Sequence, residues 1–148
     1  MKSLRFFHVV VVLIVTSAYA ADGGTTPSAT MTTASGLQYT DDADGAGEPA
    51  RAGNIVSVQY TGWIKNAGGG RGLMFDTSRD FGRPFEFRLG RGKVIKGWDE
   101  GINGMRVGGK RTLFIPAELA YGKRGLGAIV LPDQNLIFEV ELVGLKVR

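Results

Sequence analysis

The strongest constraint on the fold of this chain is an alternation of apolar and polar residues with a period of two. Val56, Val58 and Tyr60 alternate with polar neighbours, which is the pattern of a strand that buries one face. Four further segments are predicted to be strands: 37–41, 85–89, 110–116 and 136–143. Glycine-rich stretches at 66–72 and 122–127 separate these runs, and the total of 23 glycines favours turns over helix.

One segment has helical spacing. Trp98, Ile102 and Met105 stand at i, i+4 and i+7, so a short helix would bury all three on one face. Glycines in the same segment weaken the helix, and tertiary packing must therefore hold it. A majority of strands with one short helix predicts an α+β fold, in which a five- to six-stranded antiparallel sheet curls around the helix.

The first twenty residues have the features of a targeting segment. Lys2 and Arg5 precede an apolar run at 9–15, and Ala18-Tyr19-Ala20 follows, which is the pattern of a cleaved secretory signal peptide. The apolar run is shorter than the roughly 20 residues of a membrane-spanning helix, so a permanent anchor is the weaker alternative. The predicted organisation is a cleaved signal peptide at 1–20, a flexible leader at 21–35 and one domain at 36–148. We expect a periplasmic or secreted protein that is not stably inserted in a membrane after cleavage.

Charge and the scarcity of two residue types exclude several functions. Loss of the signal peptide leaves 16 of the 18 basic residues and all 14 acidic residues, a net charge of +2, which gives no reason to expect a nucleic acid partner. The chain has no cysteine, and its one histidine, His8, leaves with the signal peptide. A Ser/His/Asp triad, a thiol nucleophile and the usual zinc ligands are therefore excluded. We expect no metal and no cofactor.

Two motif-like patterns are interpreted as structural. Residues 104–110 match the first part of a phosphate-binding loop, but Arg111 stands where that motif requires Ser or Thr. Asp99 and Glu100 are neighbours on the predicted helix and point in different directions, so they cannot flank one bond as a hydrolase pair. A glycine-rich turn and a solvated helix start explain these patterns better.

Aromatic residues beside turns are the remaining candidates for a site. At the open end of a curled sheet they would line an apolar pocket, to which Asp76 and the hydroxyls of Tyr60 and Tyr121 could add a few polar groups. The pattern alone leaves such a pocket and a purely structural core as equal alternatives. Phe87 and Phe114 are assigned to the core.

Six motifs, in order and well spaced, carry a resemblance to a known family. They are VQYTGW at 58–63, FDTSRD at 75–80, PFEF at 84–87, VIKGWDEG at 94–101, PAELAYG at 116–122 and LIFEVEL at 136–142. From about residue 36 to residue 146 the chain resembles the FKBP-type peptidyl-prolyl cis/trans isomerases, in an exported bacterial form. The resemblance implies an antiparallel sheet wrapped on one helix and acceleration of X–Pro isomerisation without a cofactor. It also implies a monomer whose partners are proline-containing peptides, unfolded exported proteins and macrolides of the tacrolimus and rapamycin type.

The resemblance further implies the site, position by position. Trp98 would be the floor on which the proline ring packs, and Asp76 would lie near the reacting carbonyl. The backbone N–H of Ile95 and the hydroxyl of Tyr121 would hold the substrate backbone. The implied catalytic positions are Tyr60, Asp76, Ile95 and Tyr121. The implied substrate-binding positions are Phe75, Phe85, Val94, Trp98, Ile129 and Phe138.

The chain departs from the family pattern at the edge of this site. Phe81 stands where a basic residue often partners the pocket aspartate, so Asp76 is expected to take support from Tyr60 instead. Leu126 and Leu131 replace a histidine and a proline that are frequent in the flap of relatives. These departures bear on substrate preference and macrolide affinity.

Two functions without catalysis remain open on the same fold. A holdase chaperone would bind extended or proline-bearing segments without accelerating isomerisation, and the apolar residues Phe81, Leu126 and Leu131 favour it. A surface interaction module would dock on a partner through the loop at 66–72.

Overall fold

The structure is a computed structural model that describes residues 28–147, in which it contains seven strands and one α-helix. The elements are β1 Thr30–Thr32, β2 Gln38–Ala43, β3 Ile55–Lys65, β4 Arg71–Thr77, β5 Phe85–Arg88, α1 Lys96–Gly101, β6 Lys110–Ile115 and β7 Leu136–Lys146, with 3-10 turns at Ser78–Phe81 and Ala117–Leu119. The signal peptide predicted at 1–20 and the first part of the leader lie outside the described residues.

All strands pair antiparallel in one sheet. The strand order is β1-β2-β6-β7-β3-β4, and β5 pairs with the first part of β3. The two longest strands, β3 and β7, form the centre, with Tyr60 opposite Val140 and Gly62 opposite Phe138. The predicted α+β class, a curled antiparallel sheet around one short helix, is confirmed.

Strand β4 was not predicted because its sequence does not alternate. Leu73, Met74 and Phe75 are consecutive apolar residues, and the first two are exposed. The register between β3 and β4 shifts twice, on either side of Trp63. Such irregularities twist an edge strand and break the period of two that marks regular strands.

Strand β1 lies within the segment that is predicted from the sequence to be a flexible leader. Thr30 pairs with Thr40 and Thr32 with Gln38, so the expectation of an unstructured segment through residue 35 is wrong for residues 30–32. All three residues of β1 are exposed. Backbone hydrogen bonds rather than burial hold this strand, and hydropathy gives no signal for such bonds.

The helix packs closely against β6 because two of its residues are glycines. A Cβ atom at Gly97 would lie 2.5 Å from the Ile115 side chain, and one at Gly101 would lie 2.7 Å from Leu113. The glycines that weaken the isolated helix therefore allow its tertiary packing. Ile115 and Leu113 belong to the core that α1 and the inner face of the sheet share.

The helix is shorter than the spacing of its apolar residues predicts. It ends at Gly101, although Ile102 and Met105 beyond it are also buried. Arg111, itself buried, donates to the carbonyl oxygens of Gly101 and Asn103 at 2.8 and 3.4 Å. This guanidinium satisfies carbonyl groups that a helix end leaves without partners.

The sequence assigns Phe87 and Phe114 to the core, and the structure confirms this for one of them. Phe87 is buried in the core, as predicted. Phe114 is only half-buried, because its neighbours Leu113 and Ile115 occupy the inner face of β6 and successive side chains of a strand point to opposite faces. Within the described residues, no helix is long and apolar enough to span a membrane.

Candidate functional site

A cavity of about 210 Å³ opens at the end of the sheet beside the helix. It is lined by Tyr60, Asp76, Phe85, Lys93, Val94, Ile95, Trp98, Tyr121 and Phe138. Four strands contribute to the lining: β3, β4, β5 and β7 each supply one of these residues. Eight of the ten positions predicted from the resemblance line this one cavity.

Trp98 forms the floor of the cavity. Its side chain is only 5% exposed, and its ring lies edge-to-face against Tyr60 and Phe138, with centroids 4.8 and 5.3 Å apart. Phe85 and Phe87 contact it at 6.1 and 5.8 Å. The indole Nε1 has no hydrogen-bond partner among the described residues, so ring packing alone holds the indole. Such contacts fix an aromatic ring in one orientation.

Asp76 is held by a tyrosine. The Tyr60 hydroxyl donates to Asp76 Oδ2 at 2.9 Å, which is the support that the sequence predicted in place of a basic partner. Burial, and then the hydrogen bond to Asp76, raise the pKa of Tyr60 well above its usual value. Burial and the charge of Asp76 likewise raise the pKa of Tyr121. Both tyrosines therefore remain neutral hydrogen-bond donors throughout the physiological pH range.

Two donors in the cavity are free for a ligand. Among the described residues, neither the backbone N–H of Ile95 nor the hydroxyl of Tyr121 makes a hydrogen bond. Ile95 immediately precedes α1, where its carbonyl already accepts from Trp98 and its N–H does not enter the helix. Free donors above an aromatic floor suit the carbonyl groups of a polypeptide.

The segment before the helix is fixed by Asp99. Its carboxylate accepts the backbone N–H groups of Gly90 and Gly92 at 2.8 and 2.9 Å. Glu100 accepts a hydrogen bond from the Ser35 hydroxyl at 2.7 Å. Both carboxylates lie in α1 and are half-buried, so they keep access to solvent while also accepting these hydrogen bonds. Asp99 braces the loop that carries residues 93–95 into the cavity.

Sequence reasoning missed Thr77, Ser78 and Lys93. The buried Ser78 hydroxyl accepts the backbone N–H of Tyr60 at 2.9 Å, and the Thr77 hydroxyl donates to the Tyr60 carbonyl at 3.1 Å. These bonds join the end of β4 and the turn after it to β3, where Asp76 pairs with Gly62, two residues from Tyr60. The motif at 75–80 contains both residues, but their function depends on the strand pairing. For Lys93, the sequence indicated a place in the site only through its position next to Val94.

Two predicted positions do not line the cavity. Ile129 is 54% exposed, whereas the adjacent Val130 is buried. The backbone of Leu126 both donates to and accepts from Val130, at 2.7 and 3.2 Å, and this tight turn directs Val130 inward and Ile129 outward. Phe75 lies behind the lining, with its ring 5.6 Å from that of Phe138.

Exposed apolar side chains lie on two loops that adjoin lining residues along the chain. Phe81 is 68% exposed on the loop that leads to Phe85. Leu126, Ile129 and Leu131 are also exposed, on the loop after Tyr121. We call these four residues, Phe81, Leu126, Ile129 and Leu131, the apolar rim. The loop at 66–70 lies elsewhere, as the turn of the β3–β4 hairpin, and Asn66 closes it through hydrogen bonds to Gly70.

A second cavity, of about 280 Å³, has a different character. Its lining includes Arg79, Lys110, Glu139 and Glu141 on neighbouring strands and turns. Charged groups of both signs make it unsuited to an apolar ring. Among the described residues, no group of three or more acidic side chains or histidines could hold a metal ion.

An antiparallel sheet curled on a short helix, with an aromatic cavity and two free hydrogen-bond donors at its open end, defines a fold of the FKBP class. The family model described as FKBP-type peptidyl-prolyl cis-trans isomerase matches residues 46–143. The chain belongs to this family, and it is a peptidyl-prolyl cis/trans isomerase. The family and the activity expected from the sequence are thus confirmed.

Relatives from bacteria and from eukaryotes are similar to this chain. The FK506-binding protein of Neisseria meningitidis serogroup B is 48% identical over 108 residues, which cover 73% of this chain and 94% of the relative. FK506-binding protein 2 of Yarrowia lipolytica is 51% identical over 98 residues, covering 66% and 65%. The crystal structure of AtFKBP13 superposes with a TM-score of 0.71 at 40% identity, covering 80% of this chain and 99% of that one.

Proposed function

We propose that the cavity above Trp98 is the proline site of the isomerase. The observation that carries this proposal is the combination of a rigid aromatic floor with two free donors, the Ile95 N–H and the Tyr121 hydroxyl. The proline ring packs on the indole, and the two donors hold the peptide carbonyl groups on either side. Asp76, restrained by Tyr60, lies beside the X–Pro bond.

Catalysis by this site needs neither acid nor base. Rotation about an X–Pro bond faces a barrier of about 18–20 kcal/mol that amide resonance sets. The planar amide is more polar than the twisted one, so transfer from water into an aromatic cavity raises the free energy of the planar form more. Donors that hold the flanking carbonyl groups add binding that favours the twisted geometry. The lining residues therefore act by desolvation and orientation.

The setting proposed for this activity is outside the cytoplasm. The features at residues 2–20 support a cleaved signal peptide, followed by a leader and the isomerase domain from about residue 36. The substrates are then unfolded exported proteins in the periplasm or the medium, for which slow X–Pro exchange limits folding. Macrolides of the tacrolimus and rapamycin type occupy the same cavity.

One experiment tests the site and the export together. The full chain is expressed in a bacterium, and the protein recovered from the periplasm or medium should begin at Ala21 by mass spectrometry. Its acceleration of a short X–Pro peptide is then measured with and without tacrolimus. We expect acceleration that the drug abolishes. Retention of residues 1–20 would contradict the export proposal, and acceleration that the drug leaves intact would contradict the position of the site.

A holdase activity is the second candidate, and the apolar rim favours it. Phe81 and Leu131, 68% and 55% exposed, offer contact area beyond a single proline ring. If the folded protein suppresses aggregation of an unfolded substrate but leaves the isomerisation rate unchanged, binding without turnover is the function.

A further inference from the structure

Lys93 is the one cationic residue, among the described residues, in the lining of the cavity. It is exposed, and within residues 28–147 it takes part in no ion pair and no side-chain hydrogen bond. Its ammonium group is therefore available to a ligand. It also stands two residues before Ile95, whose N–H is the proposed anchor of the substrate backbone.

The segment around Lys93 is strongly basic. Residues 79–96 contain six Lys and Arg residues against Asp80 and Glu86. None of the six belongs to the four ion pairs of the described residues, and Glu86 is occupied by Lys146. This segment carries an excess of positive charge, part of which the Asp99 carboxylate at Gly90 and Gly92 offsets, and Lys93 is the one cation of the segment that lies in the cavity lining.

The other charge in the cavity lies apart from Lys93. Asp76 comes from β4, whereas Lys93 comes from the loop before α1, and no ion pair joins them. The Asp76 carboxylate already accepts the Tyr60 hydroxyl. A substrate in the cavity therefore meets a partnered carboxylate on one wall and a free ammonium group on another.

We propose that Lys93 makes this isomerase prefer substrates with an acidic side chain within about two residues of the proline, and disfavour basic ones. The inference rests on the proposed proline site. An extended peptide advances about 3.3 Å per residue, so a carboxylate one or two residues from a proline anchored near Ile95 is within reach of a lysine side chain. Because the pair is exposed, we expect a modest effect, about three- to fivefold in kcat/KM.

The test is a set of peptides that differ at one position. Glu, Gln or Lys is placed one or two residues before or after the proline, and kcat/KM is measured for each. On one side of the proline, the ratio of the Glu peptide to the Lys peptide should be about three to five for the wild type. The ratio should approach one in Lys93→Gln, invert in Lys93→Glu, and decrease at high salt because ions screen exposed charges.

Lys96→Glu is the matched control. It makes the same change in net charge three residues away, at a position that does not line the cavity, and it should keep the wild-type ratio. Equal rates for the Glu and Lys peptides, an unchanged ratio in Lys93→Glu, or an equal inversion in Lys96→Glu would overturn the proposal. Turnover of the Gln peptide distinguishes a failure of the Lys93 proposal from a failure of the proposed proline site. If the Gln peptide is turned over normally while the ratio of the Glu to the Lys peptide is one, the proline site stands and only the role of Lys93 fails.

Discussion

At the scale of single residues, the site depends on close ring packing. A Cβ atom at Gly62 would lie 2.6 Å from the Phe138 ring, so β3 must carry glycine where that ring crosses it. Phe138 in turn packs edge-to-face on Trp98. Gly62 on β3 therefore leaves the space that the Phe138 ring occupies, and the Phe138 ring in turn helps to hold Trp98 in its orientation.

Replacement of the floor should cost both stability and activity. We expect Trp98→Ala to lower the free energy of unfolding by about 3–5 kcal/mol, as for other large buried aromatic residues, and to remove most of kcat/KM. Trp63→Ala is the control, because Trp63 is half-buried on β3 and does not line the cavity. Urea denaturation and a peptide assay on both variants test this. A Trp98→Ala protein as stable as the wild type would contradict a buried floor.

At the scale of elements, the helix is positioned by its glycine face. Gly97 and Gly101 let α1 approach β6, and this approach places Trp98 under the cavity. A methyl group at Gly97 would lie 2.5 Å from the buried, β-branched Ile115, which has little freedom to move. The gain in helix propensity from alanine, about 1 kcal/mol, is therefore opposed by steric overlap.

Gly97→Ala should be destabilising by about 1–3 kcal/mol, the usual cost of overpacking a core. It should also lower kcat/KM, because a displaced helix moves the indole. Gly68→Ala is the matched control: a Cβ there lies 3.5 Å from Asn66 Oδ1, an ordinary contact. Thermal denaturation of both variants provides the comparison, and a more stable Gly97→Ala protein would show that the helix is not held this close to β6.

At the scale of the whole molecule, pH should have little effect near neutrality. The one histidine, His8, precedes the described residues, and Tyr60 and Tyr121 have raised pKa values. We expect kcat/KM to vary less than about twofold between about pH 6 and 8, because residues 28–147 contain no histidine or cysteine and both cavity tyrosines stay neutral there. A sigmoid or bell-shaped profile with a midpoint near pH 7 would contradict catalysis by desolvation.

Stability should decrease at high pH for the same reason. The folded state favours the neutral form of both tyrosines, so their contribution is complete below about pH 10, their unfolded pKa, and is lost as pH rises toward the folded values. At the acid end, hydrogen bonds from Lys146 and Ser57 lower the pKa of Glu86. Its contribution is present above its unfolded pKa of 4.5 and is lost on acidification. Both losses of stability lie outside the interval of about pH 6 to 8 over which activity is measured.

The sequence by itself determined the fold class and the central strands, whereas most positions of the cavity were implied by the resemblance to a known family. A period of two reports most of the buried residues of β3 and β7, and helical spacing marks the segment that contains Trp98. These features are local, since propensity and alternation depend only on neighbours along the chain.

The tertiary structure decided the contacts between distant segments. It placed β1 on the sheet through backbone bonds that have no hydrophobic period, and it turned Val130 rather than Ile129 inward. It also left Lys93 without an ion-pair partner in the cavity lining. Each of these outcomes depends on strand register or turn geometry, which fixes the separation of side chains far apart in sequence and which no local pattern encodes.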